Sequence, residues 1–537
     1  MLAVTAPRAQ QPAACVTDTL YSAFPARWIG TRVGSMAIRP RNVDAPGGFA
    51  TRAVHYLHVP TRTAVIWNDL EFEPGQQVDS IAVLESVRRL RRSPLYGEVL
   101  FEGTRCQGSE ETSFVIWTRD AWSLRGGLKL ASVGPTRVSL AELNLFGTGR
   151  TLALAQEAVE VRRSFSIGFS DPSLFGTRLR GNVGARLYED GRAWNWGLRT
   201  RDFGPFDRWR FAFLSWQQRR VNDDTASYSY SDVERHRTAL TVSRRLYVAR
   251  TGVWALVAGA ESERANLAVF QPGPSIGRSE VYREFVAPVV GVARRSTRFH
   301  TVNWLVERQA PTEVPVGVDG EAVVSVGNER NAGARLTHVD GWIGGTAMPG
   351  ANTIVTGDVW WSGYWGSDSV SNGTLRLAGA LYRNAAHGMW IVRGASERIY
   401  NPDPDVFALS TTDPMLRSLA PYAGRLAESA LLISVERAFH LYEYEGRWGL
   451  DGALFASYSQ RHGNIDPKAD DPQHLYAWIL GVGLRRVSNQ AMRSPLRIDV
   501  GRAVSRSALL RDRWIVVVSA VPWISLGRQR DGLREAK

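Results

Sequence analysis

From Pro135 onward the chain alternates between apolar and polar positions in short runs, which glycine, asparagine, aspartate and proline separate. In Trp209–Gln217 one face reads Trp, Phe, Phe, Ser, Gln and the other reads Arg, Ala, Leu, Trp, so neither face is uniformly apolar. A strand of a membrane barrel has this pattern because one side meets lipid and the other a polar lumen. A soluble sandwich would bury one face in a dry core. The pattern therefore predicts a mostly β fold, with an antiparallel transmembrane barrel over residues 135–526.

The length of this region sets the expected number of strands. At roughly 25 residues for each strand with its connection, the region predicts about sixteen strands. A β-propeller is the soluble alternative, and it would show a sequence repeat of about 40 to 45 residues. The sequence has no such repeat, which favours the barrel.

A different periodicity precedes the barrel. Val78–Arg92 has apolar residues at the three-residue spacing of an amphipathic helix. Alternating runs at Ile66–Phe72, Glu98–Gly103 and Thr112–Thr118 predict one strand before that helix and two after it. The order β-α-β-β predicts a small α+β domain over residues 28–124.

Composition narrows the class of protein further. The formal net charge is +13, but the arginines that carry it are spread along the chain, so we expect no nucleic-acid partner. No run reaches the ~18 to 20 apolar residues that a membrane-spanning helix needs. The 19 tryptophans suit a barrel, because indole rings collect at the two membrane–water interfaces. We expect two aromatic bands that include Trp194, Trp209, Trp448 and Trp514.

The two ends of the chain and its two cysteines bear on whether the protein is exported from the cytoplasm. Residues 1–14 resemble the end of a secretion signal, since small and apolar residues dominate them. Residues 527–537 form a mostly polar C-terminal tail. Cys15 and Cys106 are the only cysteines. They form a disulfide if the protein is exported, and otherwise remain two free thiols.

Motifs for enzymatic chemistry are missing from the sequence. The chain has neither an HExxH motif nor a G-x-S-x-G elbow. Gly147–Thr151 resembles a phosphate-binding loop but lacks the G-x-x-x-x-G-K frame, so we interpret it as a tight turn. We therefore expect no enzyme, no cofactor and no metal site.

Eight segments follow one another in an order typical of one superfamily: His58–Arg62, Leu70–Gly75, Leu84–Arg91, Thr118–Trp122, Glu142–Gly149, Phe169–Gly176, Gly481–Arg485 and Leu496–Gly501. Together they resemble the outer-membrane assembly superfamily that includes BamA, TamA and the bacterial surface antigens. The first four resemble its POTRA domain, and the last four resemble the opening and penultimate strands of its barrel.

The resemblance implies a location and a set of partners. The barrel would lie in the bacterial outer membrane, with a single POTRA-like domain in the periplasm. Its partners would be the lipid bilayer, unfolded outer-membrane or secreted polypeptides, and accessory periplasmic proteins or lipoproteins. The implied function is assembly or translocation of outer-membrane proteins.

The resemblance also implies a site in the lumen. In the family, an arginine of an Arg-Gly-aromatic triplet lies on a loop inside the barrel and meets an acidic residue on a strand. The matching triplet here is Arg417, Ser418 and Leu419, and Ser457 occupies the acidic position. A second arginine, Arg393, is the alternative. Because a buried guanidinium is costly without a carboxylate, we expect Arg417 to pair with Glu436 or Asp499.

The last strand predicts where the barrel is weakest. Pro522 lies in that strand and removes one backbone donor, which indicates a weak seam between the first and last strands. Unpaired backbone at an open seam could bind a client strand. The alternatives are a secretion pore or passive channel, and a structural surface-antigen barrel without transport. The POTRA-like domain favours the assembly factor.

Overall fold

The computed structural model divides into two compact units, one ending at Ser123 and the other beginning at Leu124, apart from Phe146–Gly149, which group with the first. It describes residues 14–20, 24–43, 58–131, 136–159, 162–200, 207–224, 229–249, 251–271, 277–302, 304–305, 312–329, 335–366, 370–401, 429–444, 448–462, 474–488, 496–505 and 514–519.

The N-terminal unit is a four-stranded sheet with helices. Its elements are β1 (Cys15–Thr19), a 3₁₀ turn (Ala26–Trp28), β2 (Arg32–Arg41), α1 (Thr63–Trp67), α2 (Ser80–Arg92), β3 (Tyr96–Cys106) and β4 (Glu111–Asp120). The sheet order is β1-β3-β4-β2, and only the β2–β4 pairing is parallel. The predicted helix and the two strands after it are confirmed. Neither described helix has the length and apolarity that crossing a bilayer requires.

The predicted strand at Ile66–Phe72 is wrong, because the chain forms the short helix α1 and a turn there. Ile66 and Leu70 are both buried. Two residues that lie four positions apart occupy the same face of a helix. The polar residues Asn68 and Asp69 between Ile66 and Leu70 produce the alternation that resembles a strand.

The core of this unit is aromatic. The Trp28 ring packs edge-on against Phe114, with 5.2 Å between ring centroids. Gly103 makes this possible, since a Cβ atom there would lie 2.4 Å from the indole. The two cysteines are paired across neighbouring strands: Cys15 and Cys106 are opposite in register and form a disulfide. The sequence had left that pairing open.

The second unit is a closed antiparallel barrel. Its strands are β5 (Leu124–Ala131), β6 (Thr136–Leu145), β7 (Arg150–Val159), β8 (Arg162–Asp171), β9 (Leu179–Tyr188), β10 (Gly191–Thr200), β11 (Trp209–Asp224), β12 (Ser229–Ala249), β13 (Gly252–Gln271), β14 (Gly277–Ser296), β15 (Arg298–Val302), β16 (Thr312–Glu329), β17 (Arg335–Gly350), β18 (Thr353–Trp365), β19 (Val370–Ala385), β20 (Gly388–Tyr400), β21 (Ser429–Tyr444), β22 (Trp448–His462), β23 (His474–Ser488), β24 (Leu496–Ser505) and β25 (Trp514–Ser519).

The expected count of sixteen strands is wrong. In the described part of the chain, β5 to β25 occupy about twenty wall positions, because β14 and β15 both pair with β16. The estimate assumed long connections, yet Glu189–Asp190 alone joins β9 to β10 and Ala386–His387 alone joins β19 to β20. The wall also begins at Leu124, before the predicted boundary at residue 135.

The barrel has two ends, which we name by the direction of its first strand. The proximal end is where β5 begins, and the distal end lies opposite. Because neighbouring strands are antiparallel, β25 finishes at the proximal end. β20 ends and β21 begins at the distal end; residues 402–428 between them, which include Arg417, lie outside the described residues.

The outer face of the wall is apolar. In β23 the side chains of Trp478, Leu480, Val482 and Leu484 are exposed, whereas Ala477, Ile479 and Arg485 on the other face are buried. The same alternation recurs around the barrel, with exposed valine, leucine, isoleucine and aromatic side chains on the outward positions. A protein that is apolar outside and polar inside is built for contact with lipid.

Exposed aromatic residues stand at both strand ends. At the proximal end they are Trp209, Tyr247, Trp254 and Trp390, and at the distal end Trp194, Trp365, Tyr400 and Trp514. Three of the four expected tryptophans therefore lie at strand ends on the outer face. Trp448 begins β22, but its side chain lies outside the described residues.

Candidate functional site in the barrel lumen and seam

The first and last strands of the described wall pair with each other. Among the described residues, the pairs that join β25 to β5 are Val517 with Ala131, Val518 with Leu130, and Ser519 with Lys129. We call the β25–β5 pairing the seam. Pro522, the residue expected to weaken it, lies outside the described residues.

Four charged side chains meet on one part of the lumen wall. The Arg485 guanidinium on β23 donates to Glu436 Oε1 on β21, and Arg497 on β24 donates to Glu436 Oε2 at 3.0 Å. Arg497 also donates through Nε to Asp499 Oδ2 at 2.5 Å. We call Glu436, Arg485, Arg497 and Asp499 the C-terminal ion cluster. All four are buried, and Arg485 is 0% exposed.

The contacts of the C-terminal ion cluster bridge several strands. Glu436 and Arg485 come from strands that β22 separates, so their side chains meet over the inner face of β22. A glycine on β23 provides the space: a Cβ atom on Gly483 would lie 2.3 Å from Asp499 Oδ1. One carboxylate thus binds arginines from two strands, and the cluster links β21, β23 and β24.

The cluster lies one strand away from the seam. Arg497 is opposite Ser519 and Asp499 is opposite Val517 in the β24–β25 register. Ser519 and Val517 are themselves two of the three β25 residues that pair with β5. The braced part of the wall therefore ends one strand before the seam.

The predicted site residues are only partly brought together. Arg417, Ser418 and Leu419 lie outside the described residues, so the pairing of Arg417 stays a prediction. Glu436 and Asp499, its expected partners, both lie in the C-terminal ion cluster, where strand arginines bind them. Ser457 faces the same lumen wall, and its Oγ lies 3.0 Å from Ser434 Oγ.

The alternative arginine, Arg393, lies on β20 and not on a lumen loop. Its guanidinium carbon is 5.8 Å from the centroid of the Tyr382 ring.

The sequence did not lead us to expect a role for Arg485 or Arg497, although both lie in the family-like segments Gly481–Arg485 and Leu496–Gly501. A signal was present, because strand periodicity places Arg485 on the face of Gly481 and Gly483, and places Arg497 on the face of Asp499. Two glycines beside a long charged side chain indicate room for that side chain on the inner face.

A second polar network crosses the lumen farther around the wall. Glu261 on β13 accepts a hydrogen bond from Arg237 Nη2 at 2.9 Å, and its Oε1 lies 2.7 Å from His338 Nδ1 on β17. The hydroxyl of Tyr364 on β18 donates to Glu263 on β13. The contacts of Glu261 with His338 and of Glu263 with Tyr364 skip β14 and β16, so they span the interior. The lumen is polar, as a barrel wall with an apolar outside requires.

In the N-terminal unit, two of the family-like segments meet. His58 Nε2 lies 3.0 Å from Asp120 Oδ2, and the Thr61 amide donates to the same oxygen at 2.7 Å. Burial raises the pKa of Tyr96 well above its usual value, and Asp69 and Asp120 act in the same direction. The arrangement fixes the segment that follows residue 57 against the end of β4.

No group of three or more potential metal ligands occurs within the described residues. What the described residues do combine is a closed barrel with an apolar outside and a charged lumen. That combination defines a class, the membrane β-barrel.

Solved structures of that class resemble the chain. They include BamA from Haemophilus ducreyi lacking POTRA domains 1–3, with 9% identity, a TM-score of 0.37, and coverage of 94% of this chain and 90% of that one. CdiB from Acinetobacter baumannii has 10% identity, a TM-score of 0.42, and coverage of 94% and 77%. BauA, the ferric preacinetobactin receptor of Acinetobacter baumannii, has 9% identity, a TM-score of 0.37, and coverage of 79% and 85%.

No protein-family profile matches the chain, and no curated protein sequence matches it. The identities to solved structures are near one residue in ten, so function has to be inferred from this chain's own contacts.

Proposed function

We propose that this protein is a bacterial outer-membrane barrel that assembles or translocates outer-membrane proteins by opening at the seam. The observation that carries the proposal is the pairing of β25 with β5, which closes the wall between its last and first strands. In lipid, every unpaired backbone group costs several kcal/mol, so strands that part at the seam would require new backbone partners. The same unpaired groups would then be satisfied by a strand of the client.

The C-terminal ion cluster supports this location for the opening. Its ion pairs hold β21, β23 and β24 together next to the seam. Separating a buried ion pair leaves an uncompensated charge, which is strongly unfavourable. A wall that is braced up to β24 would therefore part between β25 and β5 rather than among the strands of the cluster.

We propose that the N-terminal unit is the POTRA-like periplasmic domain that delivers the client. Its sheet has β2 at one edge. In the described residues, no strand pairs with the outer edge of β2, and a bridge from Arg32 to Gln77 occupies only its beginning. An edge with unpaired backbone can accept an unfolded polypeptide by strand addition.

A disulfide across the seam tests the proposal. The variant Leu130→Cys with Val518→Cys places cysteines at an opposed seam pair, and Ile498→Cys with Val518→Cys is the matched control between β24 and β25. We expect the oxidised seam variant to lower the folding rate of a client barrel, in liposomes that contain the purified protein, to that of protein-free liposomes. Reduction should restore the rate, and the control should remain active in both states.

An oxidised seam variant that assembles clients at the full rate would contradict the proposal. If that variant also passed solutes across the liposome bilayer, the passive-channel alternative would be favoured.

A further inference from the structure

A positively charged cavity opens on the outer face at the proximal end. It has a volume of about 310 Å³ and is lined by Arg208, Trp209, Arg244, Arg245 and Leu246. The cavity forms where β11 begins and β12 ends. The Arg245 amide donates to the Arg208 carbonyl at 3.0 Å, which joins the two sides of the cavity.

Three of the five lining residues are arginines, and none is acidic. In the described part of the chain, neither Arg208 nor Arg244 has a carboxylate within ion-pair distance. The Arg244 guanidinium lies 5.4 Å from the centroid of the Trp209 ring, a cation–π contact that fixes its position without neutralising it. Arg208 and Arg244 therefore present positive charge on the outer face, where an anion from outside the chain can bind.

The residues beside the cavity are apolar and exposed. A β-bulge interrupts the pairing of β12 with β13 between Arg245 and Tyr247. As a result, three consecutive side chains are exposed, Leu246 at 61%, Tyr247 at 63% and Val248 at 43%. A regular strand would turn the middle one inward. The bulge thus places a continuous apolar patch next to the arginines.

We propose that this cavity binds the phosphate of an anionic phospholipid headgroup. The arginines would bind the phosphate oxygens through charge-assisted hydrogen bonds, and Leu246, Tyr247 and Val248 would contact the acyl chains. A free phosphate would use the arginines but not the apolar patch. The aromatic residues of the proximal end mark this level as the membrane–water interface, which is where such headgroups lie.

The inference rests on the proposed membrane location of the barrel, but not on the assembly activity. The test uses the full-length protein in detergent micelles, and native mass spectrometry counts bound dioleoyl phosphatidylglycerol. Dioleoyl phosphatidylcholine and inorganic phosphate serve as comparison ligands. The test variant is Arg208→Gln with Arg244→Gln. The matched control is Arg398→Gln, since Arg398 lies over Tyr400 at the distal end, 4.9 Å from the ring centroid.

We expect the wild type and the control to retain phosphatidylglycerol in preference to phosphatidylcholine. The double variant should bind phosphatidylglycerol at least about tenfold more weakly, because two charged hydrogen-bond donors are lost. If the double variant bound phosphatidylglycerol as tightly as the wild type, the proposal would be overturned. Displacement of the lipid by an equal concentration of inorganic phosphate would also overturn it, since the site would then be one for free phosphate.

Flotation with liposomes separates this failure from a failure of the membrane location. A wild-type protein that does not float would overturn the membrane location and the lipid site together. A double variant that floats normally and still binds the lipid would overturn the lipid site alone.

Discussion

Glu436 is the residue on which the C-terminal ion cluster depends. Its two carboxylate oxygens accept from Arg485 and Arg497, and its exposure is 2%. Removing the negative charge of Glu436 leaves the guanidinium groups of Arg485 and Arg497 without their shared carboxylate, in a site that water hardly reaches. Since these two arginines are buried, a substitution at Glu436 should destabilise the barrel far more than a substitution of another carboxylate on β21.

We expect Glu436→Gln to lower the free energy of unfolding by about 3 to 5 kcal/mol, the usual cost of removing one partner of a buried ion pair. The measurement is the temperature at which the folded barrel loses its compact mobility on semi-native gels. The matched control is Glu443→Gln, an exposed carboxylate near the end of the same strand, which should change that temperature little. Equal stability of the two variants would show that the cluster does not brace the wall.

At this scale the sequence indicated Glu436 and Asp499 as carboxylates that could bind a lumen arginine, but not that Arg485 and Arg497 bind them. The family resemblance places the arginine on a loop, so the expected partner was Arg417. Arg485 and Arg497 are strand residues, and their convergence depends on the register of β21 to β24. Register between strands that are distant in sequence cannot be deduced from alternation alone.

At the scale of elements, alternation in the barrel region was a reliable guide to strands and a poor guide to their number, whereas in the N-terminal unit it predicted a strand at Ile66–Phe72 where the chain forms a helix. The run Trp209–Gln217 is part of β11, which extends to Asp224. The sequence signal weakens toward the strand ends, where polar residues on both faces leave no alternation to follow. The expected count of sixteen therefore came from assumed connection lengths and not from the strands themselves.

The outward face of a single strand offers the clearest test of contact with lipid. Leu480 lies in the middle of β23, points outward and is 57% exposed. We expect Leu480→Arg to reduce the free energy of folding into lipid vesicles by about 2 to 4 kcal/mol, the cost of an arginine near the bilayer centre. Urea unfolding in vesicles, followed by gel mobility, measures this change.

Leu496→Arg is the control for that substitution. Leu496 is also exposed, but it is the first residue of β24 and so lies at the barrel end. An arginine near the interface costs at most about 1 kcal/mol. Equal destabilisation by the two substitutions would mean that the outer face has no depth dependence, which a membrane-spanning wall must have.

For the whole molecule, the polar lumen and the apolar exterior follow from one property of the sequence, the absence of a uniformly apolar face in runs such as Trp209–Gln217. That property predicted a barrel correctly. The seam did not follow from it. The residue pairs that join β25 to β5 depend on the register of the last strand against the first, which alternation does not give, and Pro522, which indicated a weak junction, lies outside the described residues.

The central claim is that the barrel opens at the seam to bind a client strand. Double electron–electron resonance tests it most directly, with nitroxide labels at Val138 on β6 and Ile498 on β24. Both side chains are exposed on the outer face, and three strand spacings, about 14 Å, separate their strands across the seam. The control pair is Val242 and Val324, which lie three strand spacings apart across β13 and β14, where the pairings are long.

In lipid nanodiscs, a peptide with the sequence of the last strand of a client barrel should shift the Val138–Ile498 distances outward by one strand spacing or more, about 5 Å. The Val242–Val324 distances should remain unchanged. If the peptide binds and neither the Val138–Ile498 nor the Val242–Val324 distance distribution changes, the seam does not open for a client strand and the proposed function is wrong.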